Sequence, residues 1–177
     1  MPWDLSRKSK GEKARAMRRE QQPYMLIGSP CCRAFSTLQY LNEARSKDAS
    51  AYRIAKAKAA KHINFMIGLY REHIEDGHYF LHEHPRWATS WKLPEMEKLM
   101  AMPGLGLSHA DQCQYGAEAQ RGTQRGSPIL RPTGFMSNSP KVTQSLAERC
   151  EGQGGLCSPM GPWPRTHRGI HGDFAVR

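Results

Sequence analysis

Apolar residues along this chain cluster into a few stretches whose spacing dictates structure. Tyr24-Met25-Leu26-Ile27 is a continuous apolar run of the length a buried strand takes, and Gly28 and Pro30 stop it at once. Residues 37–47 offer only Leu38, Tyr40 and Leu41 as anchors and read as a loop with a short helical turn. From 48 to 77 the pattern changes period. Tyr52, Ala55, Ala59, Ile63, Met66, Tyr70 and Ile74 recur at steps of three and four, which is one face of a helix, while Arg53, Lys56, Lys58 and Lys61 lie mostly off it. Ser46 or Asp48 caps its start, Gly77 fits its left-handed end, and its length makes a bend near Gly68 expected. Tyr79-Phe80-Leu81-His82 then reads as a short strand stopped by Pro85. Strand, helix, strand is a βαβ crossover with parallel strands.

The flanks are weaker. Residues 6–22 are strongly polar, with Ala14, Met17 and Gln21 as a thin stripe, Ser6 or Ser9 as a cap and Pro23 as the stop of a helix. After the second strand, Pro94 opens a helix that turns Met96, Leu99 and Met100 inward and ends at Pro103-Gly104. A strand start at 104–109, a loop over 116–132 and a short strand at 133–137 follow. Ser139 caps a last helix that runs through Arg149 with Val142 and Leu146 inside. From Cys150 on, the chain is rich in Gly, Pro and Arg. The expected organisation is one α/β domain over 1–149 and a flexible, poorly ordered tail over 150–177.

Charge adds a partner to this picture. Lys and Arg total 26 against 16 Asp and Glu, a net +10. That excess favours a polyanion, nucleic acid first. Its densest run is Arg7, Lys8, Lys10, Lys13, Arg15, Arg18 and Arg19. Two readings stand side by side for these residues, a nucleic-acid contact or nuclear-localisation signal, and a solvated helix face. No run of about 18 apolar residues exists, so no membrane span is expected, and the N-terminus lacks the apolar core of a signal peptide. The chain is therefore expected inside the cell, nuclear or cytoplasmic. The five cysteines, an odd number, fit reduced thiols better than a disulfide framework. Cys150, Cys157, His167 and His171 form a possible zinc set, though the two cysteines are spaced more widely than usual. In His82-Glu83-His84 the two histidines face one side of the strand and Glu83 the other, which is two ligands and not a metal site, so no metal is assigned. His62 and His73 read as surface histidines of the long helix.

The chemistry sits after the first strand. Gly28-Ser29-Pro30-Cys31-Cys32-Arg33-Ala34-Phe35-Ser36 places a cysteine pair on a loop at a strand's carboxyl end, where open α/β sheets bind ligands. A thiolate there is a nucleophile. This stretch resembles the catalytic loop of the cytosine-5 DNA methyltransferases, Gly-x-Pro-Pro-Cys-Gln-x-Phe-Ser. Gly28, Pro30, Cys32, Phe35 and Ser36 fall in register, while Cys31 replaces the second proline and Arg33 the glutamine. Glu83-His84-Pro85, 51 residues beyond Cys32, stands where the family has Glu-Asn-Val or Glu-Asn-Pro, with His84 in place of asparagine. The stretch Arg131-Pro132-Thr133-Gly134-Phe135-Met136-Ser137-Asn138 is similar to one in divergent methyltransferase-like segments of retrotransposon-type polyproteins of unicellular eukaryotes.

The resemblance implies a partial Rossmann-like methyltransferase fold, a short parallel sheet with flanking helices, truncated at its N-terminus. It implies Cys32 as the nucleophile at cytosine carbon 6 and Glu83 as the partner of ring nitrogen 3. It also implies DNA as the partner and S-adenosylmethionine as the cofactor. Arg33 joins the basic residues above as a nucleic-acid contact. Only 31 residues precede Cys32, and no strand there runs into a Gly-rich turn and a helix. Asp4, near which the family carries an acidic residue for the adenosine, reads as well as an ordinary turn residue. The cofactor-binding residues are thus unassigned, and the expectation is a truncated or degenerate domain, inactive alone, that does not bind S-adenosylmethionine. The alternative is a non-catalytic basic nucleic-acid-binding module.

Overall fold

The computed structural model describes residues 5, 7–36, 39, 49–122, 125–150 and 158–159. Helix α1 (Lys8–Gln21) leads into strand β1 (Met25–Gly28) and a short 3-10 turn (Arg33–Phe35). The long helix α2 (Ala49–Glu75) then returns the chain to strand β2 (Tyr79–Pro85). A 3-10 turn (Thr89–Lys92), helix α3 (Pro94–Met100), strand β3 (Gly106–Asp111) and a further 3-10 turn (Gln112–Tyr115) follow. Strand β4 (Ile129–Leu130), β5 (Pro132–Ser137), helix α4 (Pro140–Ser145) and β6 (Ser158–Pro159) complete the described elements.

The expected βαβ unit is present: β1 and β2 are parallel neighbours, Met25 opposite Tyr79 and Gly28 opposite His82, joined through α2. The rest of the sheet differs from the short parallel sheet expected. Its order is β1-β2-β5-β3, and β5 runs antiparallel to both its neighbours. The sheet is mixed, with three strands pointing one way and one reversed. Strand direction is set by the connection and not by the residues of the strand, so the apolar pattern of 133–137 was silent on it.

One sheet face packs on α2 and α3. Leu26, Phe80 and Met136 meet Ile63, Met66, Ile67, Leu69 and Tyr70 of α2 and Met96 and Leu99 of α3 in a single core. The predicted stripe of α2 holds only over its second half. Ile63 is its first buried residue, and His73, expected at the surface, is fully buried against His78 with ring centroids 5.0 Å apart. Burial and the neighbouring His78 lower the His73 pKa. The proposed caps Ser6, Ser46 and Asp48, the loop 37–47 apart from Gln39, and Asp4 lie outside the described residues. Ser9 lies inside α1 rather than at its cap, which is Arg7. Helix α4 stops at Ser145, short of Arg149. Residues after it are taken up by Asp111 instead: its N–H donates to Glu148 O, and its Oδ2 accepts from Cys150 N at 2.9 Å and pairs with Arg149. Among the described residues of the tail, 158–159 pair with β4 through the backbone.

Helix α1 lies along α2 and parallel to it. Gly11 touches Phe65, Arg15 reaches Gly68 and Glu72, and Arg18 reaches Glu72 and Asp76. The advance is the same on both helices, so the two run in one direction. A Cβ on Gly11 would sit 2.9 Å from the edge of the Phe65 ring, so the ring would have to shift to admit one. Arg15 Nε is 2.7 Å from Glu72 Oε1, and Arg18, only 8% exposed, is sandwiched between Glu72 and Asp76. The guanidinium hydrogen-bonded to Asp76 lowers that carboxyl's pKa. Arg18→Ala is expected to loosen α1 at a cost of about 2 kcal/mol, below the full value for a buried pair because both carboxylates remain partly solvated. Urea unfolding, together with new protease cleavage between residues 7 and 22, measures it.

Candidate functional site

Both strands of the βαβ unit end on the same edge of the sheet. Gly28 is the last residue of β1, and the chain passes Ser29 and Pro30 to reach Cys32 immediately beyond it. Glu83 lies one residue past the Gly28–His82 pair on β2, so it stands beside the exit of β1. The Ser29 hydroxyl donates to Glu83 Oε2, which links the two strand ends directly. On the other side, Gln112 Nε2 donates to Glu83 Oε1 at 3.4 Å and to Thr133 Oγ1 at 3.0 Å. Glu83 is thus held from both flanks, by a hydroxyl and an amide.

Cys32 is half-buried and Cys31 is exposed, and both are free thiols. Burial pushes the Cys32 thiol above its ordinary pKa, the neighbouring Cys31 and the Glu83 carboxylate push the same way, and the Arg131 guanidinium opposes them. The site therefore joins a thiol, a carboxylate and a guanidinium within electrostatic reach of one another. In its resting form the thiol is the protonated species at neutral pH.

Reading the sequence had singled out Cys32 and Glu83 but not Ser29, Gln112, Arg131 or Thr133 as members of the site. Arg131 and Thr133 belong here because β5 is reversed: its first residues lie beside the last residues of β2, Thr133 opposite Pro85. The stretch beginning Arg131-Pro132-Thr133 was conspicuous in sequence, and only strand direction was needed to bring it to this edge. Gln112 arrives from the carboxyl end of β3, as open α/β sheets arrange their ligand-facing residues.

The predicted basic contacts separate into two groups. Arg7, Lys8, Arg19 and Arg33 are exposed and Lys10 is half-buried, whereas Arg15 and Arg18 are committed to the carboxylates of α2 and hold α1 in place. His82 and His84 turn away from the edge into the core, where both are fully buried with parallel rings 5.6 Å apart. The described residues contain no group of three or more His, Cys, Asp or Glu able to hold a metal ion. Cys150 is half-buried beside Asp111, and Cys157, His167 and His171 lie outside the described residues.

Nothing matches this chain among family models, curated proteins or solved structures. No described helix is long and apolar enough to cross a membrane.

A fit to S-adenosylmethionine fails among the described residues. Cofactors of this kind sit where a strand runs into a glycine turn that opens a helix. Here β1 runs into Ser29 and Pro30, β2 into Arg86 and Trp87, and β3 into the turn Gln112–Tyr115. None supplies that turn.

Proposed function

We propose that this chain is a degenerate cytosine-5 methyltransferase-like domain of mobile-element origin, whose Cys32–Glu83 edge receives a pyrimidine base of a nucleic acid without methylating it. The observation that carries the reading is the meeting of Cys32 and Glu83 on one sheet edge from neighbouring parallel strands, linked through Ser29. A partial Rossmann-like domain is compatible with the sheet, since doubly wound sheets tolerate one reversed strand among parallel ones.

The chemistry of the pair is specific. Addition of a Cys32 thiolate at carbon 6 of cytosine moves the C5–C6 π electrons toward carbon 5. Glu83, once it has itself taken up a proton, donates it or a hydrogen bond to ring nitrogen 3 and so takes up part of the resulting charge. The base must leave its stack to reach them. Two features hold the chain short of turnover. The thiol pKa is raised, so little thiolate is present at neutral pH. The described residues also offer no place for S-adenosylmethionine. The same raised pKa favours the second reading, a basic nucleic-acid-binding module in which Cys32 has no role.

Alkylation of Cys32 by iodoacetamide, followed residue by residue by mass spectrometry, separates the two. The rate is expected to be slow at pH 7 and to rise above the ordinary thiol range. Glu83→Gln removes a charge that raises the thiol pKa and should speed the reaction; Arg131→Gln should slow it. Each half unit of pKa changes the thiolate fraction about threefold. A cytosine-bearing single strand should protect Cys32 better than an abasic strand of equal length. Equal protection by both leaves only the binding-module reading. Micromolar binding of S-adenosylmethionine by calorimetry, or methyl transfer lost in Cys32→Ala, would overturn the claim that the chain does not methylate.

A further inference from the structure

Helix α2 is far longer than the strands it connects. It has 27 residues, while β1 has 4 and β2 has 7. The end of β1 is fixed on the helix by Gly28, where a Cβ would fall against Tyr70 and Met66. From Ser50 to His62 no residue is buried, Ala59 and Ala60 are the first to pack partly on the core, and residues 49–58 run past it toward the carboxyl edge of the sheet. Ten residues, 49–58, make an overhang of about 15 Å at 1.5 Å per residue. It projects on the side of the sheet that carries Cys32 and Glu83.

The overhang is basic without exception. Arg53, Lys56 and Lys58 lie on it and exposed Lys61 at its base, and the first carboxylate of α2 is Glu72, in the part packed on α1. This charge order is opposite to the one a helix prefers, since the macrodipole favours acids in the first turn and bases in the last. The first turn of α2 has no acid, while Glu72 and Glu75 lie in the last. Helix stability therefore does not account for the arrangement of charge. Because α1 runs parallel to α2, its exposed start also comes to this end: with Gly11 at Phe65, Arg7 and Lys8 lie level with Lys61.

We infer that Arg7, Lys8, Arg53, Lys58 and Lys61 form one ridge that holds the phosphate backbone of a nucleic acid and leads its strand to the Cys32–Glu83 edge. The inference rests on the proposed function for the direction in which the strand is led, but its binding surface is a separate claim. Charge complementarity selects a polyanion. An anionic membrane surface is the poorer occupant, because interfacial helices need a broad apolar face and Ile54, 68% exposed, is the only large aliphatic side chain on the overhang.

The test uses the full chain, a fluorescent 20-nucleotide single strand and the matching duplex, and titrations from low to physiological salt. Arg53→Glu/Lys61→Glu is compared with Lys92→Glu/Lys141→Glu, a pair with the same change in net charge on other elements. All four side chains are exposed, and thermal melts confirm that both variants stay folded. The ridge pair is expected to weaken binding at least tenfold and to lower the salt slope by about two, one per phosphate contact. The control pair should change affinity less than threefold. In the unaltered chain, bound strand should shield Lys61 from lysine acylation. Equal losses from both pairs would overturn the ridge in favour of diffuse charge, and so would unshielded Lys61. Binding to phosphatidylserine vesicles but to neither nucleic acid would overturn it in favour of a membrane surface. Ridge binding that persists while Cys32 gains no base-specific protection keeps this inference and removes only the proposed base site.

Discussion

Lowering the pH from 7 to 5 is expected to remove about 4 kcal/mol of stability from this fold, through two histidines of the central strand. His82 and His84 are both fully buried, and burial lowers their pKa to about 3 and about 4; His84 adds to the depression at His82, and the Glu83 backbone opposes it at His84. Their surroundings offer a proton little compensation. His82 Nδ1 meets the Tyr70 hydroxyl at 3.0 Å, whereas His82 Nε2 and both nitrogens of His84 have no hydrogen-bond partner. Trp91 stands perpendicular to both rings and Phe35 lies edge-on to His84. In the unfolded chain each imidazole takes up a proton near pH 6.5. Folded-state pKa values below the unfolded one mean full stability above pH 6.5 and progressive loss as the pH falls toward 4 and then 3. At pH 5 each histidine costs about 1.5 pH units, about 2 kcal/mol, and the sum does not depend on how far below 5 the folded values lie. Denaturant melts between pH 5 and 8 measure the slope. His84→Leu should remove about 2 kcal/mol of the loss at pH 5 and leave stability at pH 8 equal or higher, since an unpartnered buried polar group is exchanged for an apolar one. A pH-independent midpoint in the unaltered chain would show that the two rings reach water.

Why these histidines were legible only in part bears on how such sequences are read. Alternation along β2 correctly separated His82 and His84 from Glu83, because side chains on a strand alternate between faces whatever surrounds them. It did not say which face was the core. Polar residues on the inner face of a short strand defeat hydrophobic pattern, and here Leu81 lies on the outer face while two imidazoles lie inside. The long helix shows the converse. Its apolar stripe is continuous from Tyr52 to Ile74, yet only the part over the sheet is buried. Periodicity reports a helix face, whereas burial depends on the length of the layer beneath it. The Cys32–Glu83 edge was legible because it required only two parallel strands and their carboxyl ends. Arg131 and Thr133 needed the reversal of β5, which is a property of the connection through 112–131 and leaves no mark on the residues of the strand.

Gly28→Val is expected to be among the most damaging single substitutions in the chain, at roughly 3–5 kcal/mol. The glycine is not demanded by backbone conformation, since its φ is not among the positive ones. It is demanded by space. A Cβ would lie 1.9 Å from the Tyr70 hydroxyl oxygen and 2.7 Å from Met66 Cε. Met66 is a flexible side chain and gives way, but Tyr70 is fully buried, stacked on Phe80 with centroids 4.6 Å apart, and hydrogen-bonded to His82. Displacing its hydroxyl strands the His82 ring as well as its own oxygen, so overpacking is compounded by lost hydrogen bonding. Gly134 is the comparison. A Cβ there meets Trp91 at 2.8 Å, and Trp91 is pinned by the bond its Nε1 donates to Pro85 O, but no hydroxyl is displaced. Gly134→Ala should cost about 1–3 kcal/mol. The mechanism at Gly28 is separable by a cycle. Gly28→Ala in a Tyr70→Phe background removes the 1.9 Å conflict, so the double variant should cost at least about 1 kcal/mol less than the sum of the singles. Strict additivity in urea unfolding would place the strain elsewhere and leave the contact between the end of β1 and α2, which sets the position of Cys32, as ordinary packing.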